Sequence, residues 1–184
     1  LFSLPGPLGI GDLGEAARDF IDFLHRAGQS AWQILPLGPT SPVFGDSPYM
    51  SFSTFAGNPL FISPEMLVRQ GLLQDGDIEA EAFSEYAVDY PRVTAAKTRL
   101  LRAAWAVFRV RLDAAATLAA FCADHPWPAG HGLFLALKDR FDGAPWYQWP
   151  EPLRHRQETA LAEARTQLAD EIDYFVFEQY LFFD

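Results

Sequence analysis

Two observations predict an α/β fold with parallel strands: an amphipathic helical pattern over residues 15–27, and a short apolar strand pattern over 31–35 directly behind it. A third concerns the rest of the chain. Past residue 90 the apolar spacing is helical almost throughout, so the later half reads as a helical insertion hung on a first βαβ unit.

Taken in order, the chain opens on turn formers, Pro5-Gly6-Pro7 to Gly11-Asp12, with a strand expected just before Ser3. Ala16, Ala17, Phe20, Ile21, Phe23, Leu24 and Ala27 then recur at i, i+3, i+4 and i+7, and Gly28 ends that helix. Residues 31–35 follow as a strand, which completes a parallel crossover. A long loop runs from Pro36 to Pro59. Residues 60–63 read as another short strand or extended piece, and 64–70 as a short helix with proline at its start and Gly71 at its end. The acidic stretch 72–91 reads as irregular surface chain. One long helix is expected over 94–123, a shorter one over 133–141, an aromatic loop over 143–150, and a last long helix over 158–183. The domains drawn from this reading are 1–63, holding the first βα units and the loop 36–59, then 64–152 as the helical insertion, then 153–184 as a helix leading back.

Composition narrows the partners. With 184 residues and 49% apolar content, the chain is long enough for a buried core. A net charge of -10, from 24 acidic against 14 basic residues, argues against nucleic acid, whose binding needs clustered cations. No apolar run approaches the roughly 18 residues a membrane helix needs. Cys122 stands alone, so no internal disulfide is possible, and a reducing, cytoplasmic location is expected. Both ends look cut. The first residue is Leu1, and the last helix stops inside an apolar run, so the chain is expected to be a fragment whose apolar surface and strand edges are left uncovered.

Several motifs fail on context. Gly9-Ile10-Gly11-Asp12-Leu13-Gly14 matches the dinucleotide fingerprint, yet no strand runs into its first glycine and no carboxylate follows about 20 residues on. It reads instead as a tight turn feeding a helix, with Asp12 placed against the helix dipole. His25, His125, His131 and His155 lack ligand spacing and are assigned to the surface, so no metal and no cofactor is expected. Ser47 and Ser51 have no nucleophile setting.

Carbohydrate fits better, because a sugar presents C–H faces for stacking and hydroxyls for directional hydrogen bonds. The loop offers Phe44, Tyr49, Phe52 and Phe55 beside Asp46, Ser47, Ser51, Ser53 and Asn58. Phe52 and Phe55 also read as anchors, and Gly45-Asp46 and Asn58-Pro59 as turns. Tyr49, between Pro48 and Met50, reads as a contact residue. The cluster Trp146-Tyr147-Gln148-Trp149 is read as aromatic packing against a helix rather than a second sugar platform.

At this point Ser3-Leu4-Pro5-Gly6-Pro7, the glycine motif at 9–14, Gly28-Gln29-Ser30, Trp32-Gln33-Ile34-Leu35-Pro36-Leu37-Gly38-Pro39-Thr40, Gly45-Asp46-Ser47-Pro48-Tyr49, Ser51-Phe52-Ser53 and Ala56-Gly57-Asn58-Pro59 together resemble the 4-alpha-glucanotransferases, the amylomaltase or disproportionating-enzyme family. Pro145-Trp146, Trp149-Pro150 and Gln179-Tyr180-Leu181-Phe182-Phe183 resemble its later landmarks. The resemblance implies a (β/α)₈ barrel with helical insertions, of which this chain would hold only the opening part, since such barrels run to about 250 residues. It implies transfer of α-1,4-glucan segments between maltooligosaccharides with retention, by two carboxylates roughly 5–5.5 Å apart. Those carboxylates would lie on later strands, beyond Asp184, so this piece would catalyse nothing alone. It implies no catalytic residue here but a substrate-binding rim: Tyr49 stacking on the reacting glucose, Asp46, Ser47 and Ser51 supporting it, with Phe44, Met50 and Asn58 around them. Phe44 and Met50 depart from the tyrosine and glutamine the family often carries, which bears on acceptor preference. A non-catalytic glucan-binding domain and a glucan hydrolase on the same barrel remain the alternatives.

Overall fold

The computed structural model describes residues 1–78, 82–84 and 86–184. Its helices are α1 (Glu15–Arg26), α2 (Pro64–Arg69), α3 (Tyr90–Phe108), α4 (Ala114–Asp124), α5 (Pro128–Arg140), α6 (Glu151–Arg154), α7 (Glu158–Gln167) and α8 (Ala169–Phe183), with 3₁₀ turns at Pro42–Phe44, Pro59–Phe61, Asp75–Asp77 and Trp146–Gln148. Two compact units divide the chain, one formed by Leu1–Arg111 with Leu181–Asp184, the other by Leu112–Tyr180. Helices α2 and α3, which the sequence groups with the insertion, belong to the first.

The predicted strands are absent: among the described residues none lies in a β-strand, and the segments read as strands are irregular connections between helices and turns. A strand exists only through its ladder partners. Residues 31–37 carry no regular structure, with Ile34 and Leu35 exposed and the Leu37 carbonyl accepting from the Asn58 amide at 2.8 Å. Residues 60–63 are not a strand either. Asn58 caps a 3₁₀ turn there, its side chain accepting from the Leu60 amide. At the chain start, the Leu4 amide donates to the Leu1 carbonyl, which makes a turn where a strand was expected.

Helix α1 forms as its spacing predicts, and Gly28, at φ 73°, ends it with the Gly28 amide bonded to His25 and the Gln29 amide to Leu24. That pair of bonds needs a left-handed residue between them, which glycine supplies without strain. The apolar face of α1 is only partly covered: Ala17 is buried and the Phe20 ring meets Trp32, whereas Ile21 and Phe23 are exposed.

The expected helix over 94–123 is two helices. Asp89 caps the first from Oδ1 to the Arg92 amide, so it begins at Tyr90. It ends where Arg111 turns its guanidinium onto the carbonyls of Gln70 and Gly71, at 3.0 and 3.3 Å, beyond the C-terminus of α2. Tertiary bonding wins over helix continuation there. The helix expected over 158–183 also breaks, at Leu168, which turns onto the cluster of Leu133, Leu137, Trp149, Leu161 and Ala164. The helix expected over 133–141 starts earlier, at Pro128. Of the irregular stretch 72–91, residues 79–81 and 85 lie outside the described residues.

In the first unit Ile10, Leu60 and Val93 form one buried cluster, with Phe2, Phe83, Val88 and Tyr90 packed against it, and Phe2 stacks on Phe61 at 4.3 Å. Gly57 lies against Phe182: a Cβ there would run into the ring, so the end of α8 and the end of the long loop touch backbone to aromatic. The second unit closes its own cluster with the Trp149 indole, whose Nε1 donates to the Ala144 carbonyl at 3.1 Å.

Candidate functional site

The long loop shapes itself through its own short polar side chains. Ser41 Oγ accepts from the Val43 amide and opens the 3₁₀ turn Pro42–Phe44; Gly45 and Asp46 follow, both left-handed at φ 63° and 54°. Asp46 tolerates that region better than most side chains do. The Asp46 amide returns to the Ser41 carbonyl at 3.0 Å, the Tyr49 amide donates to Ser47 Oγ at 3.4 Å, and the Met50 amide to the Ser47 carbonyl at 3.1 Å. Ser51 donates its hydroxyl to the Ser53 carbonyl at 2.8 Å, and Ser53 Oγ accepts from the amides of Phe55 and Ala56. Serine-led turns of this kind hold a loop without burying it.

Each residue singled out in the sequence can now be located. Tyr49 is 71% exposed, with Phe44 and Met50 exposed beside it in sequence. Asp46 and Ser47 are half-buried, and Ser51 is exposed. Asn58 is 2% exposed: its Oδ1 accepts from Leu60 at 3.0 Å, its Nδ2 donates to Thr40 Oγ1 at 3.3 Å, and its amide holds Leu37. It therefore orders the base of the loop from within. Phe52 and Phe55, read as anchors, are exposed.

Asp12 and Lys97 form a buried ion pair that sequence reasoning missed. Lys97 Nζ stands 3.0 Å from Asp12 Oδ2 and 2.6 Å from the Ile62 carbonyl, with both side chains buried. Burial pushes the Lys97 ammonium below the ordinary lysine range, against the pull of Asp12. The other oxygen of Asp12 accepts from the Gly14 amide at 3.0 Å, so Asp12 does more than face the dipole of α1. A Cβ on Gly14 would stand 2.5 Å from Ser63 Oγ, which explains the glycine motif as close packing. The clue was a single lysine inside the apolar stripe Val93, Ala96, Leu100, Leu101 and Ala104. Tyr90 was missed as well. Its phenol is raised above its ordinary range, by burial first and by the charge of Asp46 second, so it faces the rim electrostatically.

Two further titratable groups lie in partly buried surroundings. His131, assigned to the surface from sequence, is half-buried beside Trp127, ring centroids 5.8 Å apart, and burial lowers its pKa to about 4. Burial, then Asp173, raises the Cys122 thiol, which keeps it protonated. Trp149 packs as expected, but Trp146 and Tyr147 are exposed. Among the described residues no three His, Cys, Asp or Glu side chains could hold a metal, and no helix is long and apolar enough to cross a membrane.

Comparison with known proteins adds identity to this geometry. The family model described as 4-alpha-glucanotransferase matches residues 1–184. The 4-alpha-glucanotransferase of Thermus thermophilus is 45% identical over 184 residues, covering 98% of this chain and 36% of that protein. The Synechocystis enzyme of the same name is 43% identical over 98% of this chain and 36% of its own length, and a chloroplastic/amyloplastic relative from Solanum tuberosum is 37% identical. The chain thus spans about a third of the length of these relatives. Among solved structures, amylomaltase from Streptococcus agalactiae in complex with acarbose superposes with a TM-score of 0.93 at 36% identity, over 99% of this chain and 37% of that one. On a match that runs from the first residue to the last, the chain belongs to the 4-alpha-glucanotransferase family.

Proposed function

We propose that this chain forms the substrate rim of a 4-alpha-glucanotransferase, which moves α-1,4-glucan segments between maltooligosaccharides by retaining double displacement on a (β/α)₈ barrel. The rim segment 36–59 contains one carboxylate, Asp46, and retention needs two. The rim therefore binds and orients, and the cleaving acids belong to other parts of a complete enzyme. Tyr49 stacks its ring on the C–H face of the reacting glucose, and Asp46, Ser47 and Ser51 hydrogen-bond sugar hydroxyls or hold Tyr49 in place. Phe44 and Met50 border the same sugar, and Asn58 fixes the loop base. The lone thiol supports a reducing, cytoplasmic setting for the protein.

The observation that carries this reading is the exposure of Tyr49 on a loop whose turns are each closed by its own hydrogen bonds. A preorganised aromatic at the mouth costs little ordering on binding. The test uses the complete protein with maltotriose. Longer maltooligosaccharides are expected; glucose and maltose alone would instead favour a hydrolase, and binding without turnover a glucan-binding module. Tyr49→Ala should lower kcat by about 10- to 100-fold while KM moves far less, because a contact at the reacting sugar is realised in the transition state. An unchanged kcat would remove Tyr49 from the site.

A further inference from the structure

The second unit contains a cavity of about 770 Å³ unrelated to the rim. Its floor is apolar, with Leu133, Leu137, Trp149 and Leu161 contributed by the core cluster itself. Its polar lining is concentrated in a set of arginines, Arg154, Arg156 and Arg165, against the single carboxylate of Asp173. In a chain of net charge -10, three of 14 cationic residues line one cavity.

The arginines are unequally engaged. Arg165 is paired with Glu158 at 2.7 Å, and Arg154 reaches the Tyr147 carbonyl only at 3.5 Å. Arg156 has no side-chain partner among the described residues. Its backbone is left-handed, at φ 53°, just past the end of α6, with its amide bonded to the Leu153 carbonyl. The next amide, of Gln157, donates to the Pro152 carbonyl at 2.8 Å, so this left-handed residue closes the helix and fixes where the Arg156 side chain begins. Volume and lining fall in the range of small-molecule sites.

We propose that this cavity binds an amphiphilic monoanion, a carboxylate with an aliphatic tail. The tail lies on the leucine floor beside Trp149, and the carboxylate meets the guanidiniums of Arg156 and Arg154, whose planar donors match its two oxygens. Apolar burial supplies the affinity and the arginines supply selection by charge. A neutral chain of equal length gains only the first.

The probe is dodecanoate, below its self-association concentration, titrated calorimetrically into the complete protein beside dodecanol and maltoheptaose. Saturable one-to-one binding of dodecanoate is expected, at least tenfold tighter than dodecanol, with no maltoheptaose competition. Arg154→Gln/Arg156→Gln should weaken dodecanoate about tenfold and leave dodecanol unchanged. Gly130 lines the cavity and a Cβ there meets nothing within 4 Å, so Gly130→Phe is expected to fill part of the space and to abolish binding with the circular dichroism unaltered. Equal affinity for acid and alcohol, indifference to the arginine changes, binding that survives Gly130→Phe, or no saturable binding at all would each overturn the site.

Discussion

The two compact units satisfy their backbone groups in different ways. In the segment 112–180 nearly every residue sits in a helix or a tight turn, so amides and carbonyls find partners close by in sequence, and the leucine and tryptophan cluster closes over itself. The first unit relies on single polar residues placed at turns, and on a lysine that reaches across 85 positions to a buried carboxylate. It also leaves Ile21, Phe23, Ile34 and Leu35 exposed. Local bonding gives a core that depends on shape; distant bonding gives a scaffold that depends on a few atoms. The substrate rim proposed above would be better served by the second arrangement, since most of its residues stay outside regular structure.

The sharpest way to break this contrast is Lys97→Met. Removing the ammonium leaves Asp12 charged and buried and the Ile62 carbonyl without its donor, and breaking such a pair costs about 3–5 kcal/mol. Urea unfolding monitored by near-ultraviolet circular dichroism measures it. Adding Asp12→Asn removes the stranded charge and should return much of the loss. A loss below about 1 kcal/mol for Lys97→Met would mean that the pair does not hold the unit together.

The second unit should respond to acid instead. Folded His131 holds its proton less tightly, at about 4, than the ordinary value of 6.5, so unfolding takes up a proton between those limits. Its stability is unaffected above pH 6.5 and falls as pH drops towards 4, by up to about 3 kcal/mol. Unfolding of the wild type and of His131→Gln at pH 7 and pH 4.5 isolates this slope, and equal slopes would exclude His131 as its source.

Asn58→Ala comes next, at about 1 kcal/mol for a lost cap, with faster hydrogen exchange expected at the Leu60 amide. Unchanged exchange there would show that the turn is held without its cap. Smallest of all is the stability effect of Tyr49→Ala, within about 0.5 kcal/mol because the ring is exposed. A larger loss would make Tyr49 a packing residue and weaken the binding reading.

How much was legible follows the same division. Helices α1 and α2 could be read with their ends, because Gly28 and Gly71 stop them by local conformation alone. The turns at Gly45-Asp46 and Asn58-Pro59 were legible for that reason too. The strands over 31–35 and 60–63 were not, since alternation and apolar runs state a preference, and only neighbouring strands turn it into structure. Breaks at 109–113 and at Leu168 escaped because Arg111 and Leu168 answer to residues far along the chain or to a packed cluster. Exposed Phe52 and Phe55, and the cation of Lys97 within an apolar stripe, are misread by any scheme that equates chemistry with burial.

The meeting of Gly57 with Phe182 has one more consequence. Residues 112–180 leave the first unit and re-enter it at Leu181, next to a ring already seated on the loop backbone. The departure and return points are thus anchored independently of whatever lies between them. Evolution, or a protein engineer, can lengthen, shorten or exchange that excursion as a cassette while the stem that carries the tyrosine keeps its place, provided position 57 stays without a side chain.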